Sequence, residues 1–217
     1  MMMREPNFEA EEPVDMTRYV TEDDEPVDSV FCESQHRLLV HLLYTSWPEG
    51  RPFMATADVG LFYRKDERYP VVPDFLLSLG VEALPLSDAP ESKSYFLWVY
   101  KKTPELVVEV VSNTKGGELG RKREIYESIG VLYYVVYDPF GHLSSSPLRV
   151  YRLEDGRYGE SGEWMPEIGL GLKSWEGQFE GKAANWLRFC REDGSLLETG
   201  EEAVERLKAR VSELEER

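Results

Sequence analysis

Two carboxylates and one lysine are the residues of this 217-residue chain whose surroundings suggest chemistry. Glu109 stands inside the apolar run 106–111, between Val108 and Val110. An ionised carboxylate inside such a strand costs several kcal/mol unless a cation or hydrogen-bond donors neutralise it. We therefore expect Glu109 to have a specific partner.

Asp74 is also placed among apolar residues. It follows Pro73 and opens the run Phe75-Leu76-Leu77, and a proline is tolerated at the first position of a strand. Lys122 occurs thirteen positions after Glu109 on a predicted helix. Residues spaced by three and four positions form one stripe of that helix: Leu119, Lys122, Tyr126 and Ile129. Because the helix crosses back over the sheet, the ammonium of Lys122 can meet the carboxylate of Glu109.

Two acids and a lysine form a sufficient set for phosphodiester hydrolysis. Mg²⁺ prefers oxygen ligands, typically one or two carboxylates with phosphate and water, and Mn²⁺ can substitute for it. Asp74, Glu109 and the backbone carbonyl of Val110 are the predicted ligands. The ion would polarise a phosphoryl oxygen and activate a water, and Lys122 would orient that water and balance charge.

Each of these residues also has a simpler interpretation. A lone glutamate in a strand is more often exposed or paired with a structural arginine. Lys122 can cover apolar surface with its stem, and Pro73-Asp74 is a common turn signal. The combination of the three favours a catalytic site. A glycosidase would explain paired acids but leaves the lysine on the apolar stripe unexplained.

The elements that position these residues alternate between helices and strands. Asp28 or Ser29 can cap a helix that runs to Ser46 with an apolar face of leucines, and Trp47-Pro48-Glu49-Gly50 ends it. A second helix is predicted at 118–129, ended by Gly130. The predicted strands are 53–57, 59–63, 75–79, 94–101, 106–111 and 131–137, followed by a hairpin of 148–153 and 157–160 around Asp155-Gly156. Two apolar strands around one helix indicate a β-α-β unit with a parallel pair.

These residues, in this order, resemble the Uma-type family of putative restriction endonucleases within the PD-(D/E)XK nuclease superfamily. The resemblance covers about residues 15–175. It rests on Pro73-Asp74, on Glu109-Val110-Val111-Ser112, on Lys122 with Tyr126, and on Gly130-Val131 through Tyr133-Tyr134 to Asp138-Pro139. It implies an α/β restriction-endonuclease-like core, with a central mixed β-sheet flanked by helices, Mg²⁺ dependence and often a dimer.

Carried over by position, the resemblance makes Asp74 and Glu109 metal ligands and Lys122 the catalytic lysine. The position two after Glu109 is Val111 rather than lysine, so the lysine has moved to the helix. Glu33 on the first helix matches an additional acid that many relatives carry. Gln35 or His36 of the same helix are the alternatives to Glu33 as the residue that approaches the site.

Charge and composition limit the partners. The net charge is -16, but residues 1–30 carry 2 basic and 10 acidic side chains, whereas 91–126 carry 7 basic and 5 acidic ones. Nucleic acid, in the first place DNA, is therefore an acceptable partner, although no broad basic face is evident. No apolar run approaches membrane-spanning length, no secretory signal is visible, and Cys32 and Cys190 fit reduced thiols in a cytoplasmic protein.

The chain divides into an acidic segment at 1–27, a nuclease-like domain at 28–190 and a charged helical tail at 191–217. In the tail, Thr199 and Glu202 form a capping box, and Val204, Leu207, Val211 and Leu214 repeat with heptad spacing. Two heptads leave open a homodimer contact or a solvated end helix. The predicted function is a Mg²⁺-dependent endonuclease. The alternatives are a weakly active or inactive nuclease-like module that binds nucleic acid or protein, and a structural oligomeriser that uses its tail.

Overall fold

The computed structural model describes residues 14–21, 29–47, 50, 52–82, 84–112, 120–143 and 145–216. After a 3₁₀ turn at Met16–Arg18, the helices of these residues are α1 (Val30–Ser46), α2 (Pro90–Lys93), α3 (Leu97–Tyr100), α4 (Arg121–Ile129) and α5 (Gly200–Glu215). The strands are β1 (Phe53–Ala57), β2 (Leu61–Phe62), β3 (Phe75–Leu79), β4 (Tyr95–Phe96), β5 (Leu106–Val110), β6 (Tyr133–Tyr137), β7 (Leu148–Glu154), β8 (Arg157–Ser161), β9 (Trp164–Met165), β10 (Leu170–Phe179) and β11 (Lys182–Cys190).

A six-stranded mixed sheet in the order β1-β3-β5-β6-β7-β8 forms the centre of the fold. β5 and β6 are parallel, joined through α4, and the other neighbours are antiparallel. Helices flank the sheet, so the predicted α/β class with a central mixed sheet is confirmed. The parallel pair predicted from the β-α-β pattern is β5–β6.

Alternate residues of β5 pack on opposite faces of the sheet, which explains why its sequence is almost entirely apolar. Leu106 and Val108 face a core that includes the leucines of α1 and residues of β10 and β11. Val107 faces a second core that contains Tyr126 of α4. By the same alternation, Glu109 points to the α4 side of the sheet.

The helix ends follow the sequence closely. Ser29 caps α1 by accepting a hydrogen bond from the Cys32 N–H (3.1 Å). Gly130, with φ of 83°, ends α4 in the left-handed conformation that glycine adopts without penalty. The predicted start of α4 at Glu118, with Leu119 of its stripe, lies outside the described residues, as do Asp28, Pro48 and Glu49.

One predicted strand is wrong. The run 94–101 forms only the two-residue strand β4, and then the one-turn helix α3, which ends at Lys101 with φ of 57°. β4 pairs with only two residues of β2, so the ladder offers no further partners. Tyr100, the last residue of α3, stacks on Tyr95 of β4, with ring centroids 4.3 Å apart. Burial of aromatic rings here outweighs the strand propensity of the same residues.

A second sheet, in the order β11-β10-β9, covers the α1 side of the central sheet. None of the strands predicted from the sequence covers 164–190, although the β10–β11 hairpin turns at Glu180-Gly181, where both φ angles are positive. The predicted hairpin at Asp155-Gly156 has the same kind of turn and is confirmed.

The capping box of α5 is confirmed, with Thr199 and Glu202 exchanging hydrogen bonds of 3.2 and 2.8 Å. Cys32 and Cys190 are both buried thiols. Of the helices that the structure describes, none combines the length and apolarity needed to cross a membrane.

Candidate active site

The site lies where β3 begins and β5 ends. The antiparallel ladder of these strands pairs Phe75 with Val108. Asp74 precedes Phe75 and Glu109 follows Val108, so the two acids come next to each other at the same end of the sheet. The two carboxylates repel each other, and the charge of Asp74 therefore contributes to the raised pKa of Glu109.

Glu109 is fully buried and both of its oxygens are engaged. Its Oε2 accepts a hydrogen bond from Nζ of Lys122 at 2.6 Å, and its Oε1 accepts one from the Tyr126 hydroxyl at 2.7 Å. Burial, reinforced by the charge of Asp74, raises the pKa of Glu109 from 4.5 to about 8, although Lys122 and Tyr126 oppose this rise. Glu109 therefore has the cationic partner that its apolar strand required.

Lys122 reaches this position from the core-facing stripe of α4. Its Nζ also donates to the carbonyl of Val72 at 3.2 Å, just before Asp74. The side chain keeps about 30% of its surface exposed, so the ammonium lies at the boundary between the buried acid and solvent. The sequence placed Tyr126 on the stripe of Lys122 but predicted no role for it in the site. Its hydrogen bond to Glu109 makes it part of the site, and burial raises its own pKa well above 10.

Asp74 connects the strand ends to α1. Its Oδ2 accepts a hydrogen bond from the backbone N–H of Val110 at 2.6 Å and lies 3.8 Å from Nε2 of His36. Burial raises the pKa of Asp74, against the effect of His36 and Lys122. In an extended strand the N–H and the carbonyl of one residue point the same way, so the carbonyl of Val110 also faces the Asp74 side.

His36 and Asp58 complete a second arm of the site. Nδ1 of the buried His36 is 2.9 Å from Oδ2 of Asp58, which follows β1 with φ of 54°. Nε2 of His36 is buried without a hydrogen-bond partner among the described residues. Burial lowers the pKa of His36, but the hydrogen bond to Asp58 and the charge of Asp74 outweigh it and raise the pKa overall.

His36, Asp58 and Asp74 each offer a ligand atom, and these atoms lie within 4.8 Å of one another. The donor set suits a divalent cation, since it combines two carboxylates with a buried imidazole nitrogen that lacks a partner. His36 was named from the sequence as an alternative approach to the site, whereas Asp58 was missed. Its only sequence signal is that it directly follows a strand.

Glu33 and Gln35 have other partners on α1. The half-exposed Glu33 pairs with Arg37 at 3.0 Å, and its charge contributes to the raised pKa of His36. The Gln35 amide donates to the carbonyl of Leu187 at 2.9 Å and accepts from the Leu187 N–H at 2.8 Å, which fixes α1 against β11. Of the three α1 candidates, His36 is the one that contacts Asp74.

The raised pKa of Glu109 predicts how stability depends on pH without metal. Between pH 4.5 and about 8 the folded protein holds a proton on Glu109 that the unfolded chain has released. The resulting stabilisation is complete at low pH and is lost as pH rises to about 8. We expect the free energy of unfolding, measured in EDTA, to fall over this range, and to fall less steeply in Glu109→Gln. Equal slopes for both proteins would contradict the assignment.

A model of the Uma2 family, described as putative restriction endonucleases, matches residues 25–174, and the chain belongs to this family. Among solved structures, a putative nuclease belonging to DUF820 from Anabaena variabilis ATCC 29413 is similar, with 14% identity and a TM-score of 0.44. The match covers 63% of this chain and 69% of that one. No curated protein matches the chain.

Proposed function

We propose that this protein is a divalent-metal-dependent endonuclease that hydrolyses DNA phosphodiester bonds, with Mg²⁺ as its ion and Mn²⁺ as a substitute. The observation that carries the proposal is the buried contact between Glu109 and Lys122, beside Asp74, at one end of the sheet. Because the chain belongs to a family of putative restriction endonucleases, we interpret this arrangement as the two carboxylates and the lysine of a nuclease site.

Asp74 and Glu109 are the proposed metal ligands, with the carbonyl of Val110 beside them. His36 and Asp58 are further candidate ligands, because their ligand atoms lie within 4.8 Å of that of Asp74. When bound, the ion supplies polarisation of a phosphoryl oxygen and a water acidified towards neutral pH.

The chain's own groups have separable roles in this proposal. Lys122 neutralises Glu109, and its partly exposed ammonium can also orient a water and balance charge on a phosphate. Tyr126 positions Glu109 through the bond to Oε1. Glu33 is proposed to act on the site indirectly. Its charge raises the pKa of His36, while its carboxylate forms an ion pair with Arg37.

Metal titration tests the proposal directly. We expect Mg²⁺ or Mn²⁺ to raise the melting temperature, because a ligand that binds only the folded state stabilises it. The same ions should support cleavage of duplex DNA, and EDTA should abolish it. Glu109→Ala should remove cleavage, whereas Asp88→Ala, which changes an exposed carboxylate, should leave it intact. Cleavage that persists in EDTA or in Glu109→Ala would refute the proposal.

A second candidate function is a nuclease-like module that binds nucleic acid or a protein partner without catalysis. It is favoured by the full engagement of Glu109, whose two oxygens are held by Lys122 and Tyr126, and by the net charge of -16. The metal titration separates the two candidates. Binding of DNA in a mobility-shift assay, with neither stabilisation by the ion nor cleavage, would support the non-catalytic binding module.

A further inference from the structure

The apolar face of α5 is the largest feature that the nuclease site leaves unexplained. Four side chains at heptad spacing are each about half exposed: Val204 49%, Leu207 54%, Val211 53% and Leu214 56%. Every residue from Val204 to Glu216 is exposed, so the described part of the chain does not cover this face. The helix also lies beyond the residues 25–174 that define the family.

The first turn of α5 is firmly fixed. Arg188 of β11, only 2% exposed, makes two hydrogen bonds to Glu202, of 2.7 and 2.6 Å, and a third to the carbonyl of Leu197. The N–H of Gly200 donates to Nε2 of His41 at 3.1 Å. With its start anchored and its remainder exposed, α5 presents the apolar face as an ordered helix.

The order of residues on this face specifies a type of partner. In heptad notation Val204 and Val211 occupy the a positions, and Leu207 and Leu214 the d positions. Among parallel coiled coils, β-branched residues at a with leucine at d favour two strands over three or four. The heptad therefore indicates a single partner helix.

Charges beside the apolar face indicate that the partner is the same helix. In a parallel pair, the g residue Arg210 meets the e residue Glu215 of the other chain, and two-fold symmetry makes this attractive contact twice. A fully overlapping antiparallel pair would instead place Arg210 against Arg210 and Lys208 against Lys208. Like charges across both flanks oppose that arrangement.

We propose that α5 is a dimerisation helix that pairs in parallel with α5 of a second copy of this chain. The interface spans two heptads, fewer than the three or four of a self-sufficient coiled coil. The dimer is accordingly weak and forms with rising concentration. The proposal does not depend on nuclease activity.

Sedimentation of the full chain over a wide concentration range tests the dimer. The mass should rise from 25.0 kDa towards twice that value. The double variant Leu207→Glu/Val211→Glu should raise the dissociation constant at least about tenfold, equivalent to about 1.4 kcal/mol. The matched control Ala209→Glu adds a charge to the opposite face, position f, and should dimerise normally. A monomer at all concentrations, or equal loss in the control, would overturn the proposal.

One added cysteine tests the relative orientation of the two α5 helices, independently of the double variant. Leu214→Cys should form an intermolecular disulfide under mild oxidation, because a parallel pair places the two 214 positions side by side. In the antiparallel pair residue 214 lies opposite 204, about 15 Å along the helix from its counterpart, beyond the reach of a disulfide. The wild type should not cross-link, since Cys32 and Cys190 are buried. Failure of Leu214→Cys to cross-link at dimer-forming concentration would overturn the parallel arrangement.

Discussion

Replacing Lys122 with methionine is expected to lower the free energy of unfolding by about 1–3 kcal/mol at pH 9, because the buried Glu109 must then either keep its charge without a cation or take up a proton. Glu109 has no exposed surface, so water cannot replace the lost ammonium. At pH 6 the loss should be smaller, since the raised pKa of Glu109 lets the carboxyl hold a proton. Chemical denaturation at the two pH values measures the difference.

Two variants control this experiment. Arg121→Met makes a similar change on the exposed side of α4 and should cost little. Glu109→Gln combined with Lys122→Met removes both charges, so the double variant should lose less stability than the two single losses added together. A small, pH-independent loss in Lys122→Met would mean that the lysine only covers apolar surface.

The second large effect is expected at Asp74. Asp74→Asn should reduce metal-dependent DNA cleavage by more than about a hundredfold, because changes to groups that merely support metal ligands already cost 10–100-fold. It should also remove the stabilisation by Mn²⁺, since asparagine brings no charge to the site. Cleavage rates and melting curves with and without the ion give the two readings.

Histidine variants test whether His36 takes part in binding the ion. If His36 contributes Nε2, His36→Gln should weaken Mn²⁺ binding more than His142→Gln, which alters an exposed histidine. If the ion lies between Asp74 and Glu109 alone, both histidine variants should bind Mn²⁺ like the wild type. Full cleavage by Asp74→Asn would contradict the proposed site in either case.

Much of this site could be predicted because burial of charge is costly. The apolar neighbours of Glu109 indicated that it needs a partner, and helical periodicity placed Lys122 on the correct side of α4. Both inferences use spacing along one element, which the sequence displays directly. Residue types typical of helix ends predicted the α5 cap, the ends of α1 and the C-terminal end of α4 at Gly130.

Helical periodicity also separates the candidate residues of α1. His36 lies three residues before Leu39 and seven before Leu43, on the buried side, whereas Glu33 and Arg37 share the exposed side. The resemblance had favoured Glu33. Asp58 could not be predicted in this way, because its position depends on a left-handed residue at the end of β1 and on packing against a helix distant in sequence.

The attachment of Gln35 to Leu187 has a consequence for association between chains. β11 is the outer strand of its sheet, and outer strands present unpaired backbone groups to which another chain can add. Here the Gln35 side chain forms hydrogen bonds with both the N–H and the carbonyl of Leu187. The Tyr137 hydroxyl donates to the carbonyl of Asn185. The N–H of Leu197 donates to the carbonyl of Phe189. Four backbone groups of three alternate residues along this edge are thus hydrogen-bonded within the fold, which opposes strand addition and aggregation at β11.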